Sequence, residues 1–314
     1  MNKMDRSFRA LKDSYASGDI IKADFIAQAH SKFHSLLFEY ASELSCTDIA
    51  RIEIVDGSVV MTSRADGIST LVDCLDHRTA PIETLNFNQY EPEESSVIRR
   101  LAPHIDTMLD VGANIGWYSL MVASINASAT IHAFEPIPKT FARLLANCDI
   151  NNALSIQCHN YGLSSEPGKF PFYFYPEGSG NASIKNLANN DEVEVLFCEL
   201  RTLSQVQDEI ASTANVDFIK CDVEGNEIFV LQGGLPVLQK HKPILLVELL
   251  RKWCAPFGYH PNDVFVLLAK LGYSAYTVSS QGFLLRVGSI TDDTAETNFF
   301  FVHPESRLFS LLNI

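Results

Sequence analysis

The sequence predicts an α/β protein with a mostly parallel sheet, an antiparallel last strand and an N-terminal helical and β-hairpin extension. From about residue 89 onward, short apolar runs alternate with amphipathic stretches, which indicates strands alternating with helices. Such alternation is typical of a parallel sheet that is covered on both faces. Before residue 89 the pattern is different: helical spacing is followed by a hairpin signal.

Composition and charge narrow the class of protein and of partner. The 314 residues suffice for one large α/β domain with an appendage, or for two modest domains. The net charge of −14 argues against a nucleic-acid partner, because phosphate binding needs a surplus of Lys and Arg. No apolar run is long enough to span a membrane, and the polar N-terminus begins no signal peptide, so we expect a cytoplasmic protein without a membrane partner. The seven cysteines show no Cys-x-x-Cys spacing and are expected to be free thiols.

Residues 1–88 are predicted to form an accessory region. Apolar residues recur at helical spacing up to about residue 45, and two β-like runs between Arg51 and Met61 surround Asp56-Gly57, a pair favoured in tight hairpins. The N-terminal helices could pair subunits, so a homo-oligomer through this region is one expectation. Residues 89–314 are predicted to form the ligand-binding domain.

The strands and helices of residues 89–314 follow from the apolar runs and the positions of proline and glycine. The predicted strands are Thr107–Val111, Thr130–Phe134, Ser155–Tyr161, Asp217–Asp222, Ile244–Leu249, Ser274–Val278 and Asn298–Val302. The predicted helices are Glu94–Leu101, Ile115–Ser124, Lys139–Asn151, Glu227–Gln232 and Pro261–Lys270. Residues 279–297 are interpreted as a loop, and Lys169–Asn190 as an extended excursion over one end of the sheet.

The first motif is Asp110-Val-Gly-Ala-Asn-Ile-Gly116, where an apolar strand ends and a glycine-bearing turn leads into a helix. Ligands bind at this edge of an open α/β sheet, and Gly112 and Gly116 let the backbone approach a ligand closely. An ordinary strand–helix turn can also contain two glycines. A dinucleotide site would require Gly-x-Gly-x-x-Gly, whereas the spacing here is Gly-x-x-x-Gly.

The second motif is Ile131-His-Ala-Phe-Glu-Pro136, which places Glu135 at the end of the second strand. An acidic side chain at this position can accept hydrogen bonds from both ribose hydroxyls of an adenosine. A glutamate at the rim of a sheet is more often simply solvated, but its pairing with the glycine turn favours a cofactor that contains adenosine.

The third motif is Phe218-Ile-Lys-Cys-Asp-Val-Glu-Gly-Asn-Glu227, at the end of the fourth strand. Strand alternation predicts that Asp222 and Glu224 share one side, and Glu248 at the end of the next strand adds a third carboxylate to the same edge. Glu227 could instead only cap the following helix. Three gathered carboxylates require a cationic ligand, a shared proton or a metal to offset their repulsion.

Together these motifs resemble the FkbM-type methyltransferases that depend on S-adenosylmethionine (SAM), over roughly 70% of the chain from about Tyr90 to the C-terminus. Weaker matches are Gln89-Tyr-Glu-Pro92 and Gly180-Asn-Ala-Ser183, and Arg201-Thr-Leu-Ser-Gln205 departs from a Leu-Asp-Asp-like element of the family. The resemblance implies the class I methyltransferase fold, with a Rossmann-like sheet. It also implies SAM as cofactor, S-adenosylhomocysteine as product, and transfer to a hydroxyl of a small molecule, sugar or natural-product scaffold.

On this resemblance we assign candidate roles. The cofactor candidates are Asp110, Gly112, Asn114, Gly116, Glu135, Asn160 and Gly162. In the reaction, Asp222 would hold substrate or cofactor, Glu224 would orient or deprotonate the acceptor hydroxyl, and Glu248 would support it. Mg²⁺ on these three carboxylates is an open alternative that the resemblance does not require, so no metal is expected.

Three further alternatives stay open. The histidines near strand ends, His159, His241 and His260, are competing bases of lower rank than Glu224. A SAM-binding partner or regulatory protein without catalysis is the alternative function, and the carboxylate cluster speaks against it. A dehydrogenase is disfavoured by the glycine spacing.

Overall fold

The computed structural model describes residues 7–175, 177–178, 180, 182–187, 193–210, 215–312 and 314. The helices are α1 Phe8–Ala16, α2 Lys22–Ala29, α3 Ser35–Glu43, α4 Ala80–Phe87, α5 Pro92–Leu101, α6 Trp117–Ile125, α7 Pro138–Ile150, α8 Leu203–Ile210, α9 Glu227–Gly233, α10 Leu235–His241, α11 Arg251–Cys254 and α12 Pro261–Ala269. The strands are β1 Ile49–Val55, β2 Ser58–Ser63, β3 Ser69–Val72, β4 Thr107–Val111, β5 Thr130–Phe134, β6 Ile156–His159, β7 Gly162–Leu163, β8 Gly168–Phe174, β9 Glu194–Arg201, β10 Phe218–Cys221, β11 Ile244–Glu248, β12 Ser274–Val278, β13 Leu284–Val287 and β14 Asn298–Val302.

The main sheet has eight strands in the order β13-β12-β14-β11-β10-β4-β5-β6. Strands β6, β5, β4, β10 and β11 are parallel neighbours, while β14 is antiparallel to both β11 and β12. The predicted fold class, a mostly parallel sheet with an antiparallel last strand, is therefore confirmed. The antiparallel β14 between β11 and β12 also departs from the dinucleotide-binding sheet order.

The interior strands match their predicted positions closely, whereas the edges do not. Four predicted strands have the observed bounds: Thr107–Val111, Thr130–Phe134, Ser274–Val278 and Asn298–Val302. The interpretation of residues 279–297 as a loop was wrong in one part, because Leu284–Val287 forms the edge strand β13. Only one neighbour pairs with an edge strand, and two of the four β13 residues are exposed, so its apolar pattern is weak.

The segment after β6 forms a second, three-stranded sheet in the order β7-β9-β8. The strand predicted over Ser155–Tyr161 is present with the shorter bounds Ile156–His159, because pairing with β5 stops at His159 and the chain then joins β9 through Gly162. Strand β8 begins the predicted excursion Lys169–Asn190, of which residues 176, 179, 181 and 188–190 lie outside the described residues. Strand β9 and helix α8 were not predicted.

The N-terminal region consists of α1–α4 and a separate antiparallel sheet, β1-β2-β3. The predicted hairpin at Asp56-Gly57 is confirmed, and both residues have the positive φ angles that such a turn requires, 48° and 79°. Helix α7 joins this sheet to the main domain. Leu71 donates its backbone N–H to Asn147 Oδ1 (2.8 Å), and Ser69 donates its N–H to Asn151 Oδ1 (2.8 Å).

The hydrophobic core lies on both faces of the main sheet. Phe218 and Phe300 belong to a cluster under α5 and α6, and Phe134 and Phe299 belong to a cluster under α9 and α12. These strands are therefore buried on both sides, which is why their sequences are continuous apolar runs. Among the residues that the structure describes, no helix is long and apolar enough to cross a membrane.

We expect Asn147→Ala to lower the free energy of unfolding by about 2–4 kcal/mol, because it leaves two backbone groups without partners. The Asn147 amide accepts from the Leu71 N–H and donates to the Ile115 carbonyl (both 2.8 Å), and its side chain is completely buried. Urea unfolding is the measurement. The control Asp149→Ala, on the exposed face of α7, should change the stability by less than about 0.5 kcal/mol. Equal stabilities for the two variants would contradict the bridging role.

Candidate active site

A cavity of about 260 Å³ opens at the carboxyl ends of the central parallel strands. Its walls come from the turns after β4, β5, β10 and β11, from the segment before α5, and from the second sheet. Seven of the ten predicted site residues line it: Gly112, Asn114, Glu135, Gly162, Asp222, Glu224 and Glu248. The fold thus brings the first and third motifs to one cavity.

The turn after β4 lies directly against the turn after β10. Gly112 has a φ of +78°, and a Cβ added there would stand 1.8 Å from the backbone oxygen of Asp222. Only a glycine combines this φ with so close an approach. Asn114, with a φ of +49°, completes the turn and lines the cavity.

Glu135 fixes the other side of this turn. Its Oε2 accepts from the Asn114 backbone N–H (3.0 Å), and its Oε1 accepts from the Ile137 N–H (2.8 Å). Burial raises the pKa of Glu135 to about 7, and the two backbone hydrogen bonds oppose that rise. Each carboxylate oxygen has two lone pairs, so both oxygens keep the capacity to accept from a ligand in the cavity.

Lys220 connects the two turns. Its buried Nζ donates to the Gly112 carbonyl (3.0 Å) and to Asp222 Oδ2 (2.9 Å). Burial alone would lower the pKa of this ammonium, but the carboxylates of Asp222 and Asp110 outweigh burial and raise it. The sequence analysis gave Lys220 no role, although a lysine inside the apolar run Phe218–Cys221 is a signal for a buried charge with a partner.

The three predicted carboxylates meet at the cavity floor. One oxygen each from Asp222, Glu224 and Glu248 lies within 4.8 Å of the other two. Burial, reinforced by Asp222 and by neighbouring glutamates, raises the pKa of both Glu224 and Glu248 well above the usual value. The predicted cause of this meeting was wrong: β10 ends at Cys221, and Glu224 reaches the cluster through a turn with a φ of +53°, not through strand alternation.

Glu227 holds that turn in shape. Its Oε1 accepts from the backbone N–H groups of Val223 and Gly225 (both 3.0 Å), and its Oε2 accepts from the Tyr259 hydroxyl (3.0 Å). Burial raises the pKa of Glu227 to about 7. Both backbone N–H groups belong to the turn before α9, so these contacts hold the turn and do not support the alternative that Glu227 only caps the helix.

Glu91 is a further acidic residue of the cavity, and the sequence analysis gave it no role. It accepts from the Tyr118 hydroxyl and from Asn298 Nδ2 (3.0 Å), and burial raises the pKa of its carboxyl. These partners lie 27 and 207 residues away along the sequence, so no local sequence pattern predicts the two contacts. In the sequence, the weak match of Gln89–Pro92 to the family motifs was the signal that pointed to Glu91.

Three predicted cofactor residues lie behind the cavity wall. Asp110 is buried and accepts from Ser119 Oγ (2.6 Å), Gly116 packs against Leu144, and Asn160 Nδ2 donates to the Glu135 carbonyl (3.0 Å). None of them lines the cavity. Gly116 lies in the turn after β4 and Asn160 contacts the turn after β5, whereas Asp110 lies within β4 and contacts α6.

The competing histidines lie away from the cavity in the part of the chain that the structure describes. His159 stacks on Phe134, with 4.7 Å between ring centroids, and His260 caps the N-terminus of α12. His241 accepts weakly from the Val216 N–H (3.4 Å). Their contacts account for their positions without a catalytic role.

Comparison with known proteins identifies the family of this arrangement. The profile of the family described as Methyltransferase FkbM domain matches residues 110–275, slightly more than half of the chain. Methyltransferase sdnD of Sordaria araneosa is 31% identical over 196 residues, which cover 53% of this chain and 73% of that protein.

Two further relatives agree with that family. Hexuronic acid methyltransferase AglP of Haloferax volcanii is 33% identical over 184 residues, covering 56% of this chain and 68% of that protein. Methyltransferase 1 of Beauveria bassiana is 31% identical over 147 residues, covering 42% of this chain and 59% of that protein. The match therefore spans less than two thirds of the length of this last relative.

We expect Gly112→Ala to lower the free energy of unfolding by more than about 3 kcal/mol and to abolish binding of S-adenosylhomocysteine, because the new methyl group meets the Asp222 carbonyl. Gly57→Ala is the matched control, since Gly57 has nearly the same φ of +79° but open space around it. The control should cost only about 1–2 kcal/mol, the cost of the backbone conformation. Urea unfolding and calorimetry measure both effects. Equal losses in the two variants would show that the contact between the turns contributes nothing.

Proposed function

The chain belongs to the FkbM methyltransferase family, and we propose that it transfers a methyl group from SAM to a hydroxyl oxygen of a small molecule, a sugar or a natural-product scaffold. The observation that carries this proposal is the common cavity of the Gly112 turn and the Asp222–Glu224–Glu248 cluster. One side suits an adenosine-containing methyl donor, and the other suits a hydroxyl that must lose a proton.

The residues of the donor side fit SAM. Glu135 retains lone pairs toward the cavity for ribose hydroxyls, and the turn over Gly112 and Asn114 exposes backbone to the same space. Gly162 extends this side, and a Cβ there would stand 2.6 Å from the Leu200 side chain, so a larger residue would have to displace that side chain. When bound, SAM supplies an electrophilic methyl group on a sulfonium centre.

The acceptor side supports proton removal. Glu224 is the first candidate base, because its carboxylate lies in the cavity and its raised pKa makes it a stronger base once ionised. Glu248 and Asp222 would hold the acceptor hydroxyl next to it. The hydroxyl proton would pass to the carboxylate as the oxygen forms its new bond to the methyl carbon and the bond between that carbon and the sulfonium sulfur breaks, which leaves S-adenosylhomocysteine. The rate of such an enzyme increases as the pH rises through the raised pKa of Glu224.

The test of the proposal is methyl transfer from SAM carrying a ¹³C-labelled methyl group to a panel of hydroxylated acceptors that includes hexuronic acid glycosides. We expect a methoxy signal in the carbon NMR spectrum of one product, and its loss in Asp222→Asn. A labelled N-methyl or C-methyl product would contradict O-methylation. Binding of SAM without turnover of any acceptor would instead favour the non-catalytic partner, and binding of NAD but not SAM would exclude both.

We expect the affinity for S-adenosylhomocysteine to rise about tenfold between about pH 6 and pH 8, as Glu135 ionises with its pKa of about 7. The sign follows from the hydrogen bonds: ribose hydroxyls donate, and the ionised carboxylate is the better acceptor. Calorimetry at a series of pH values measures the effect.

Glu135→Gln should bind more weakly and remove this pH dependence. Glu94→Gln is the matched control: burial raises the pKa of Glu94 to about 7 as well, but Glu94 does not line the cavity. That control should keep the wild-type slope. A slope that persists in Glu135→Gln would assign the titration to another group and remove Glu135 from the ribose site.

A further inference from the structure

We propose that Asp222, Glu224 and Glu248 form a site for a divalent cation that prefers oxygen ligands, such as Mg²⁺ or Mn²⁺. One oxygen from each residue lies within 4.8 Å of the other two. Ligands on opposite sides of a bound cation are separated by about twice the bond length, ~4.2 Å for Mg²⁺ and about 4.6–5.2 Å for Ca²⁺. The three oxygens therefore surround a space of about the size of one coordination sphere, and a slight inward shift of the side chains would bring them within the ~4.2 Å that Mg²⁺ requires.

Glu224 provides a second, separate sign of a ligand. Its Oε2 is buried and has no hydrogen-bond partner among the described residues. Buried carboxylate oxygens are normally hydrogen-bonded or bound to a metal, because desolvation without a partner is costly. Ser183 Oγ donates to the backbone carbonyl of Glu224 (2.7 Å), so the turn is held by its backbone and the carboxylate is left to face the cavity.

The other acids around the cavity differ from this cluster. Both oxygens of Glu91, of Glu135 and of Glu227 accept from donors of the protein. Hydrogen bonds within the protein therefore satisfy those three carboxylates. Among the described residues of the cavity wall, the cluster differs from these three because one oxygen of Glu224 has no donor from the protein.

Lys220 does not take the place of the cation. Its Nζ is engaged by Asp222 and by the Gly112 carbonyl, and one ammonium cannot offset three carboxylates. Arg78 also lines the cavity, but its nearest acidic partner is Glu83, 3.8 Å away, and 60% of its side chain is exposed. Burial and the neighbouring carboxylates raise the pKa of both glutamates, so a cation and protons compete for the same oxygens.

The catalytic role of a cation at this site extends the proposed function and rests on it. It would bind the acceptor through its hydroxyl oxygen and lower the pKa of that hydroxyl, and the proton would pass to the Glu224 oxygen that does not bind the cation. Acceptors with two neighbouring hydroxyls would be favoured, since both oxygens can bind one cation.

The test uses Mn²⁺ alone as the probe and the full chain at about pH 8. Binding removes the electron paramagnetic resonance signal of free Mn²⁺, and we expect one ion per chain, displaced by Mg²⁺. Glu248→Gln should weaken binding about tenfold or more. Glu83→Gln removes the same charge from the same cavity but lies outside the cluster, and it should change the affinity less than threefold. Mn²⁺ binding that is equal in the two variants would overturn the proposal.

Binding of S-adenosylhomocysteine on the same samples separates the two proposals. Its retention in Glu248→Gln shows that the variant is folded. Binding of S-adenosylhomocysteine without any Mn²⁺ binding overturns the cation site and leaves the proposed function intact. Mn²⁺ binding without S-adenosylhomocysteine binding overturns the proposed function and leaves the cation site intact.

Discussion

The bridge made by Lys220 is the interaction on which the active-site cavity depends. Its buried ammonium binds the Gly112 carbonyl on one turn and the Asp222 carboxylate on the other. Removal of one partner from a buried ion pair costs about 3–5 kcal/mol, because the remaining charge stays desolvated. The close approach at Gly112 leaves no room for the turns to shift. The Lys220 ammonium and the absence of a side chain at Gly112 therefore fix the donor side and the acceptor side of the cavity relative to each other.

The acidic residues around this bridge divide into two groups with different physical roles. Glu135 and Glu227 accept hydrogen bonds from backbone N–H groups of the turns, so their carboxylates stabilise the conformation of these turns. Glu224 and Glu248 belong to the cluster that faces the cavity, and burial raises their pKa values well above normal. The chain has a net charge of −14. Some of its acidic residues hold the turns of the site in shape, and others are proposed to take part in the chemistry.

The sequence predicted the interior of the fold well because interior strands have a strong local signal. Strands β4 and β5 are buried on both faces, so their apolar runs define their ends. The edge strand β13 and the second sheet were missed, since partly exposed strands mix polar and apolar residues. Among the site residues, Asp222 and Glu248 were predicted by their places at strand ends. Lys220 was not, because its partner Gly112 lies 108 residues away and only the folded chain joins them.

The same distinction explains why the donor is easier to infer than the acceptor. The donor side is built from two adjacent turns of the main sheet, whose motifs are local. The rest of the cavity wall includes Arg78 and Glu83 from the N-terminal region and Ile184 from the segment between β8 and β9. A backbone hydrogen bond from His77 to Glu177 (3.0 Å) joins these two segments. The expected boundary between residues 88 and 89 thus runs through the cavity wall, and we infer that the accessory segments, which carry no motif, select the acceptor.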